Sequence, residues 1–211
     1  MLPKLIYITQ GATPGDHLRH LEKAVVAGVP FVQLRLKDYS PPVVLDTAQQ
    51  AAKICQQHGV MLAINDFPEI AMAVGAEAVH VGLEDQSVKS VRELLPTAII
   101  GGTANTIEHI RQRASEGVDY IGLGPFRLTS TKKKLSPVLG LEGYKHLLSI
   151  MQQEGITLPV YGIGGIEAAD IKPLLEAGLH GVAISGAITH SADPQTIIHL
   201  IKTPNHVEHS R

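Results

Sequence analysis

Four times along this chain a glycine closes a helix-like stretch and leads into a short apolar run: Gly28-VPFVQLR, Gly75-AEAVHVG, Gly117-VDYIGLG and Gly178-LHGVAIS. Glycine just past a helix accepts the left-handed conformation that ends it. Runs of this length and apolarity read as buried strands. Four further runs of the same kind lie between them, at 5–9, 60–65, 98–102 and 159–164. Intervening stretches such as Val43 to His58 and Ile107 to Ser115 carry interspersed charges and read as amphipathic helices. Strands that are nearly continuous in apolar residues are covered on both faces, and their alternation with helices implies parallel pairing. Eight such units predict an α/β fold, a single (β/α)8 TIM barrel, in preference to an open doubly wound sheet. At 211 residues the chain sits near the short end for that fold, which leaves little room for a second domain. The expected division is a barrel over 1–203 and a flexible tail over 204–211, whose two histidines carry no metal-site expectation.

Composition removes several function classes. Hydrophobic residues make up 44% of the chain, enough for a substantial core, so global disorder is excluded. The net charge of −2 provides no basic field for nucleic acid. Cys55 is the only cysteine, which rules out an internal disulfide and a multi-cysteine metal site; inside a helix-like stretch it reads as a packing residue. MLPKLIYIT lacks the apolar length of a signal peptide, and no run is long enough to span a membrane. A cytoplasmic protein with no membrane association is expected. Gly162-Ile-Gly-Gly165 holds part of a dinucleotide fingerprint without its full spacing, and nucleotide binding is not read there.

In a barrel the reacting groups sit at the C-terminal ends of the strands or in the loops that follow. Read in order, strand two supplies Gln33, Arg35 and Lys37, strand three Asn65 and Asp66, strand four His80, Glu84 and Asp85, and strand five Thr103 and Asn105. Strand six runs into GPFRLTSTKKKLSP, with Thr129, Ser130, Thr131 and Lys132. Strands seven and eight end on Gly164-Gly165 and Ser185-Gly186. Each has an ordinary explanation. Asp66 caps a helix ahead of Pro68, Asp85 caps the segment from Ser87, and Arg35 and Lys37 pair with Asp38 or Glu69. The lysines form a solvated loop, the paired glycines allow tight packing, and His80 is a satisfied strand histidine. These separate readings leave their assembly at one barrel end unexplained.

Together the residues describe phosphate chemistry at two places. Asp66 and Asp85, from neighbouring strand ends, offer hard oxygen ligands suited to Mg2+, which takes its other ligands from substrate phosphate. Arg35, Lys37 and Lys132 would neutralise a pyrophosphate around that ion. Gly165 and the Ser185-Gly186 backbone would donate amides to a second, single phosphate. The combination suits a transfer in which pyrophosphate leaves with metal assistance and a phosphorylated acceptor attacks. No Ser-His-Asp or Cys-His arrangement stands out, so covalent catalysis is not expected.

QLRLKD (33–38), INDFPEIA (64–71), VHVGLED (79–85), DYIGLGPFRLTSTKKK (119–134), YGIGGI (161–166) and GVAISGAI (181–188) resemble thiamine phosphate synthases, in order and from Leu5 to Ile188. That family is related to the thiazole tautomerases. The resemblance implies a (β/α)8 barrel that joins a hydroxymethylpyrimidine pyrophosphate to a thiazole phosphate, with Mg2+ as cofactor and small molecules as partners. It assigns Mg2+ to Asp66 and Asp85, and the pyrophosphate to Arg35, Lys37, Asn65, Thr103 and Lys132. Arg35, Thr103 and Lys132 would carry the catalytic work on its departure. Gln33 would contact the pyrimidine with His80 near it, and Thr129, Thr131, Gly165, Ser185 and Gly186 would bind the thiazole phosphate. Lys133 and Lys134 would add only local positive potential, and self-association into a homo-oligomer is left open. Three positions depart from the family pattern: Leu83 replaces a glutamine, Asn105 a histidine, and Phe67-Pro68 a basic residue and its neighbour. A thiazole tautomerase would depend on the histidine that Asn105 replaces. A non-catalytic phosphate-binding paralogue is the other alternative, and intact Asp66, Asp85 and Lys132 weigh against it.

Overall fold

In a computed structural model of the chain, described over residues 1–128 and 137–202, eight parallel strands close into one barrel in sequence order. The strands are β1 (Leu5–Ile8), β2 (Phe31–Leu34), β3 (Met61–Asn65), β4 (Ala78–Val81), β5 (Ile99–Ala104), β6 (Tyr120–Leu123), β7 (Val160–Ile163) and β8 (Gly181–Ile184). The connecting helices among the described residues are α1 (Pro14–Val26), α2 (Pro41–His58), α3 (Pro68–Val74), α4 (Val88–Leu94) and α5 (Ile107–Glu116). They continue with α6 (Gly140–Gln153), α7 (Ala168–Glu176), the short α8 (Gly186–Thr189) and α9 (Pro194–Lys202). All eight expected strands are present, and the single (β/α)8 barrel is the observed fold. Among the described residues no helix is long and apolar enough to cross a membrane. The expected tail over 204–211 lies outside the described residues.

Local sequence accounts for the element ends. At the start of α1 the Thr13 hydroxyl accepts from the Asp16 amide at 3.2 Å, and the Asp16 carboxylate accepts from the Thr13 amide at 3.0 Å. Gly75 and Gly117 end α3 and α5 in the left-handed region, with φ of 66° and 78°, and the chain turns straight into β4 and β6.

Side chains alternate across each strand, so one set packs under the helices and the other fills the lumen. Val32, Leu62, Ile64, Val79, Ile100, Ile121 and Val182 belong to the outer layer. Ile6, Ile8, Phe31, Ala63, Ala78, Tyr120, Tyr161 and Ala183 form the inner one. Tyr120 crosses the lumen and meets Phe31 and Tyr161 edge-on, with ring centres 6.3 and 5.2 Å apart. A Cβ at Gly101 would fall 2.1 Å from Tyr120 Cζ, so only glycine on the neighbouring strand leaves space for the ring. Nearer the C-terminal strand ends the inward residues become Gln33, Asn65, His80 and Thr103. The lumen is thus apolar below and polar above, and the polar end is where chemistry can occur.

Candidate active site

The loops after β3 and β4 carry an acidic pair. Asp66 follows the last residue of β3 with a φ of 67°, and its amide donates to the His80 carbonyl at 2.9 Å. Aspartate tolerates this conformation better than most residues, at a cost of about 1 kcal/mol. Phe67 packs against the core and the buried Pro68 opens α3, which holds the loop down. Asp66 is therefore not a helix cap: Phe67 holds the cap position of α3, with no side-chain cap bond. Asp85 is not one either, because Ser87 caps α4 and accepts from the Ser90 amide at 3.1 Å. The Asp85 carboxylate instead accepts from the Gly82 amide at 2.6 Å and lies within hydrogen-bonding reach of Asp66.

Electrostatics reflects this placement. Burial first, and then the Asp85 carboxylate, raise Asp66 from the ordinary 3.8 to about 7, while Lys37 and Arg35 pull the other way. Lys37 Nζ stands 3.8 Å from Asp66 Oδ2, and Arg35, itself lowered by burial, faces Asp66 and Asp38. Glu69, the other partner considered for these cations, accepts instead from Gln86 at 2.7 Å. A buried carboxyl raised to about 7 beside a second carboxylate suits a divalent cation, whose charge would favour its ionised form. Their hard oxygens match a hard ion that completes its shell with phosphate and water. Among the described residues no group of three or more His, Cys, Asp or Glu is placed to hold a metal.

The top of the lumen is a hydrogen-bonded floor. Gln33 Nε2 donates to Asn65 Oδ1 at 2.7 Å. His80 spans the next two strands, with Nε2 3.0 Å from the Thr103 hydroxyl and Nδ1 3.2 Å from the Tyr120 hydroxyl. His80 is a satisfied strand histidine, held between Thr103 and Tyr120 at the polar end of the lumen.

On the other side of Arg35 lies a cavity of about 630 Å3, walled by Arg35, Gly164, Gly165, Ser185, Gly186 and His190. It brings together residues expected from strands two, seven and eight. Arg35 joins the two halves, because its guanidinium answers Asp66 while the residue walls this cavity. Gly164, with a φ of 90°, lies against Pro125, where a Cβ would fall 2.8 Å from the proline Cβ. Tight packing is therefore part of the reason for the paired glycines. A second cavity of about 650 Å3, walled by Lys145, Gln152, Gly178 and His180, lies beside α6 and the residues leading into β7 and β8; it gathers none of the expected site residues. Thr129, Ser130, Thr131, Lys132, Lys133 and Lys134 lie outside the described residues; Leu128, just before them, walls the first cavity.

Two contributions were not expected from the sequence. Thr9 and Gln10 follow β1 beside Arg35: the Thr9 hydroxyl takes the Arg35 amide at 3.1 Å, and Gln10 walls the cavity with His190, 2.9 Å from it. The polar pair directly after LIYI was the available signal. Arg127 donates to the Gly165 carbonyl at 2.8 Å, is chelated by Asp170, and lies 4.6 Å over the Phe126 ring. Asn105, one of the departures, is buried and donates its side-chain amide to the Gly124 carbonyl, tying the ends of β5 and β6.

The comparison with known proteins spans the barrel. The family model for thiamine monophosphate synthase matches residues 5–188. A thiamine-phosphate synthase of Flavobacterium johnsoniae is 43% identical over 199 residues, covering 94% of each chain. One from Bacteroides fragilis is 42% identical over 191 residues, covering 90% of this chain and 94% of the relative. In three dimensions, a thiamine phosphate pyrophosphorylase from Pyrococcus furiosus superposes with a TM-score of 0.80 at 23% identity, over 95% of this chain and 97% of its own, which supports the barrel fold. With a matching model across nearly the whole barrel and relatives above 40% identity along it, this chain belongs to the thiamine monophosphate synthase family.

Proposed function

We propose that the protein is a thiamine-phosphate synthase, joining 4-amino-5-hydroxymethyl-2-methylpyrimidine pyrophosphate to 4-methyl-5-(2-phosphoethyl)thiazole. The observation that carries this reading is the crowded Asp66–Asp85 pair with Lys37 and Arg35 beside it, next to a cavity that ends at Gly165 and Ser185-Gly186. Asp66 and Asp85 would hold Mg2+, which when bound offsets the charge of the departing pyrophosphate. Arg35 and Lys37 add positive charge on the same side, and Thr103 and Asn65 offer a hydroxyl and an amide at the lumen top. Gln33 and His80 form the floor under the pyrimidine ring. The bond between the pyrimidine methylene and pyrophosphate oxygen breaks with both electrons leaving on oxygen. The thiazole nitrogen then gives its lone pair to the methylene carbon, and no proton has to move. The residues therefore bind, neutralise and exclude water, which would otherwise capture the cation. Lys132, Thr129 and Thr131 enter this proposal from the sequence alone, as further phosphate contacts, with the thiazole phosphate reaching Gly165, Ser185 and Gly186.

A tautomerase reading is weaker, since the Asn105 amide is engaged with the Gly124 carbonyl and offers no titrating group. The test is formation of thiamine phosphate from the two substrates, with and without Mg2+. Product that needs both substrates and the ion supports the proposal. No product under those conditions leaves a binding protein in its place.

A further inference from the structure

Arginines in surface helices ordinarily reach into water, but Arg113, in the last turn of α5, is only 3% exposed. Its guanidinium passes inward to the ends of two strands. Nε donates to the Thr103 carbonyl at 3.1 Å, Nη2 to the Gly82 carbonyl at 2.8 Å, and Nη1 to Glu116 Oε2 at 2.6 Å. The path is shaped for it, because a Cβ at Gly102 would fall 2.7 Å from Arg113 Cδ and 3.0 Å from Nε. The tandem glycines of β5 thus serve two neighbours, Tyr120 inside the barrel and Arg113 outside it.

The two carbonyls belong to the parts of the chain that carry site residues. Gly82 also holds Asp85, through the 2.6 Å bond from its amide to Oδ2. Thr103 also holds His80, through its hydroxyl at 3.0 Å. A rigid guanidinium fork with two donors on two carbonyls sets the spacing between the ends of β4 and β5. Arg92 gives a comparison within the same molecule. It donates to the Ala98 carbonyl at 2.6 Å and to Asp119 at 2.7 Å, tying the entries to β5 and β6 at the opposite end of the barrel. Both arginines brace backbone, but only Arg113 braces the loop that carries Asp85.

We propose that Arg113 is a positioning residue for the divalent-cation site, setting the Gly82 loop, and through it the Asp85 carboxylate, against Asp66. The inference rests on the reading of Asp66 and Asp85 as metal ligands. Groups that orient a ligand from behind it change metal affinity or activity about 10- to 100-fold when removed.

The experiment compares Arg113→Met, Arg113→Lys, Arg92→Met and Asp85→Asn with the parent protein. Mn2+ binding is followed by electron paramagnetic resonance with inorganic pyrophosphate present, beside the Mg2+ response of turnover and the KM for the thiazole phosphate. Arg113→Met should weaken Mn2+ binding and raise the Mg2+ requirement about tenfold or more, leaving the thiazole phosphate KM unchanged. Arg113→Lys should recover part of the loss, since one ammonium can serve one of the two carbonyls. Arg92→Met should lower the unfolding temperature and leave Mn2+ binding intact. Parental Mn2+ binding in Arg113→Met would overturn the proposal, as would an equal loss in Arg92→Met. If Arg113→Met does not fold, parental binding in Arg113→Lys together with parental Mg2+ response has the same force. If Asp85→Asn weakens Mn2+ and the Arg113 variants do not, only the role of Arg113 is wrong. If Asp85→Asn leaves Mn2+ binding intact, the metal reading fails and the role of Arg113 falls with it.

Discussion

Replacing Asp66 with asparagine should stabilise the cation-free protein at alkaline pH while removing its activity. Asp66 ionises at about 7 in the fold against an ordinary 3.8, chiefly through burial and then through Asp85. A carboxyl raised in the fold contributes in full below the unfolded-chain value, and that contribution is lost as pH climbs through about 7. A rise of this size corresponds to at most about 4 kcal/mol above neutrality. An asparagine still buries a polar amide in the same place, so the substitution should recover roughly half, about 2 kcal/mol. In a chain of this length each kcal/mol moves the unfolding midpoint by about 2–4 °C, so Asp66→Asn should raise it by roughly 4–8 °C at pH 8. The gain should be smaller at pH 5, where only part of the interval between 3.8 and about 7 has been crossed. Mg2+ with pyrophosphate should reverse the order, because the parent gains from the ligand and the variant does not. Thermal unfolding at both pH values, in chelator and in Mg2+ pyrophosphate, reads all four cases. A variant less stable than the parent at pH 8 in chelator, or one equally shifted at both pH values, would refute the electrostatic argument.

A Cβ at Gly186 would meet only ordinary contacts, 3.6 Å from His190 Cδ2 and 3.9 Å from Gln10 Nε2. Gly186→Ala should therefore be near neutral, whereas Gly186→Leu should raise the KM for the thiazole phosphate about tenfold. Arg35→Ala should act instead on the pyrimidine pyrophosphate and on product inhibition by pyrophosphate; interchanged effects would reverse the two subsites. Burial pushes the Cys55 thiol up to about 12, so at pH 8 it should stay unmodified by thiol reagents until the protein unfolds, and rapid labelling of the native protein would contradict that.

Eight strands were legible because parallel strands covered on both faces carry an apolar run that surface segments lack. β5 shows where that signal ends. It was expected over 98–102 and runs Ile99–Ala104, because Gly101, Gly102 and Thr103 serve Tyr120, Arg113 and His80 rather than a hydrophobic layer. The acidic pair was legible from position alone, since two aspartates just past adjacent strands must share the same end of the barrel. Their mutual contact, and the raised Asp66, follow from loop conformation that no local pattern encodes. Thr9 and Gln10 obeyed the same positional rule at β1. Arg113 did not, because a helix-borne arginine reads as a solvated face until the fold places Gly102 under it.

Thiamine phosphate formation across an Mg2+ titration, for the parent, Asp66→Asn and Asp85→Asn, tests most directly whether this carboxylate pair drives pyrophosphate release. Each carboxamide should lower turnover at limiting Mg2+ by about 100-fold or more while circular dichroism reports an intact barrel. Parental turnover in both variants at limiting Mg2+ would mean that the two carboxylates do not hold the ion.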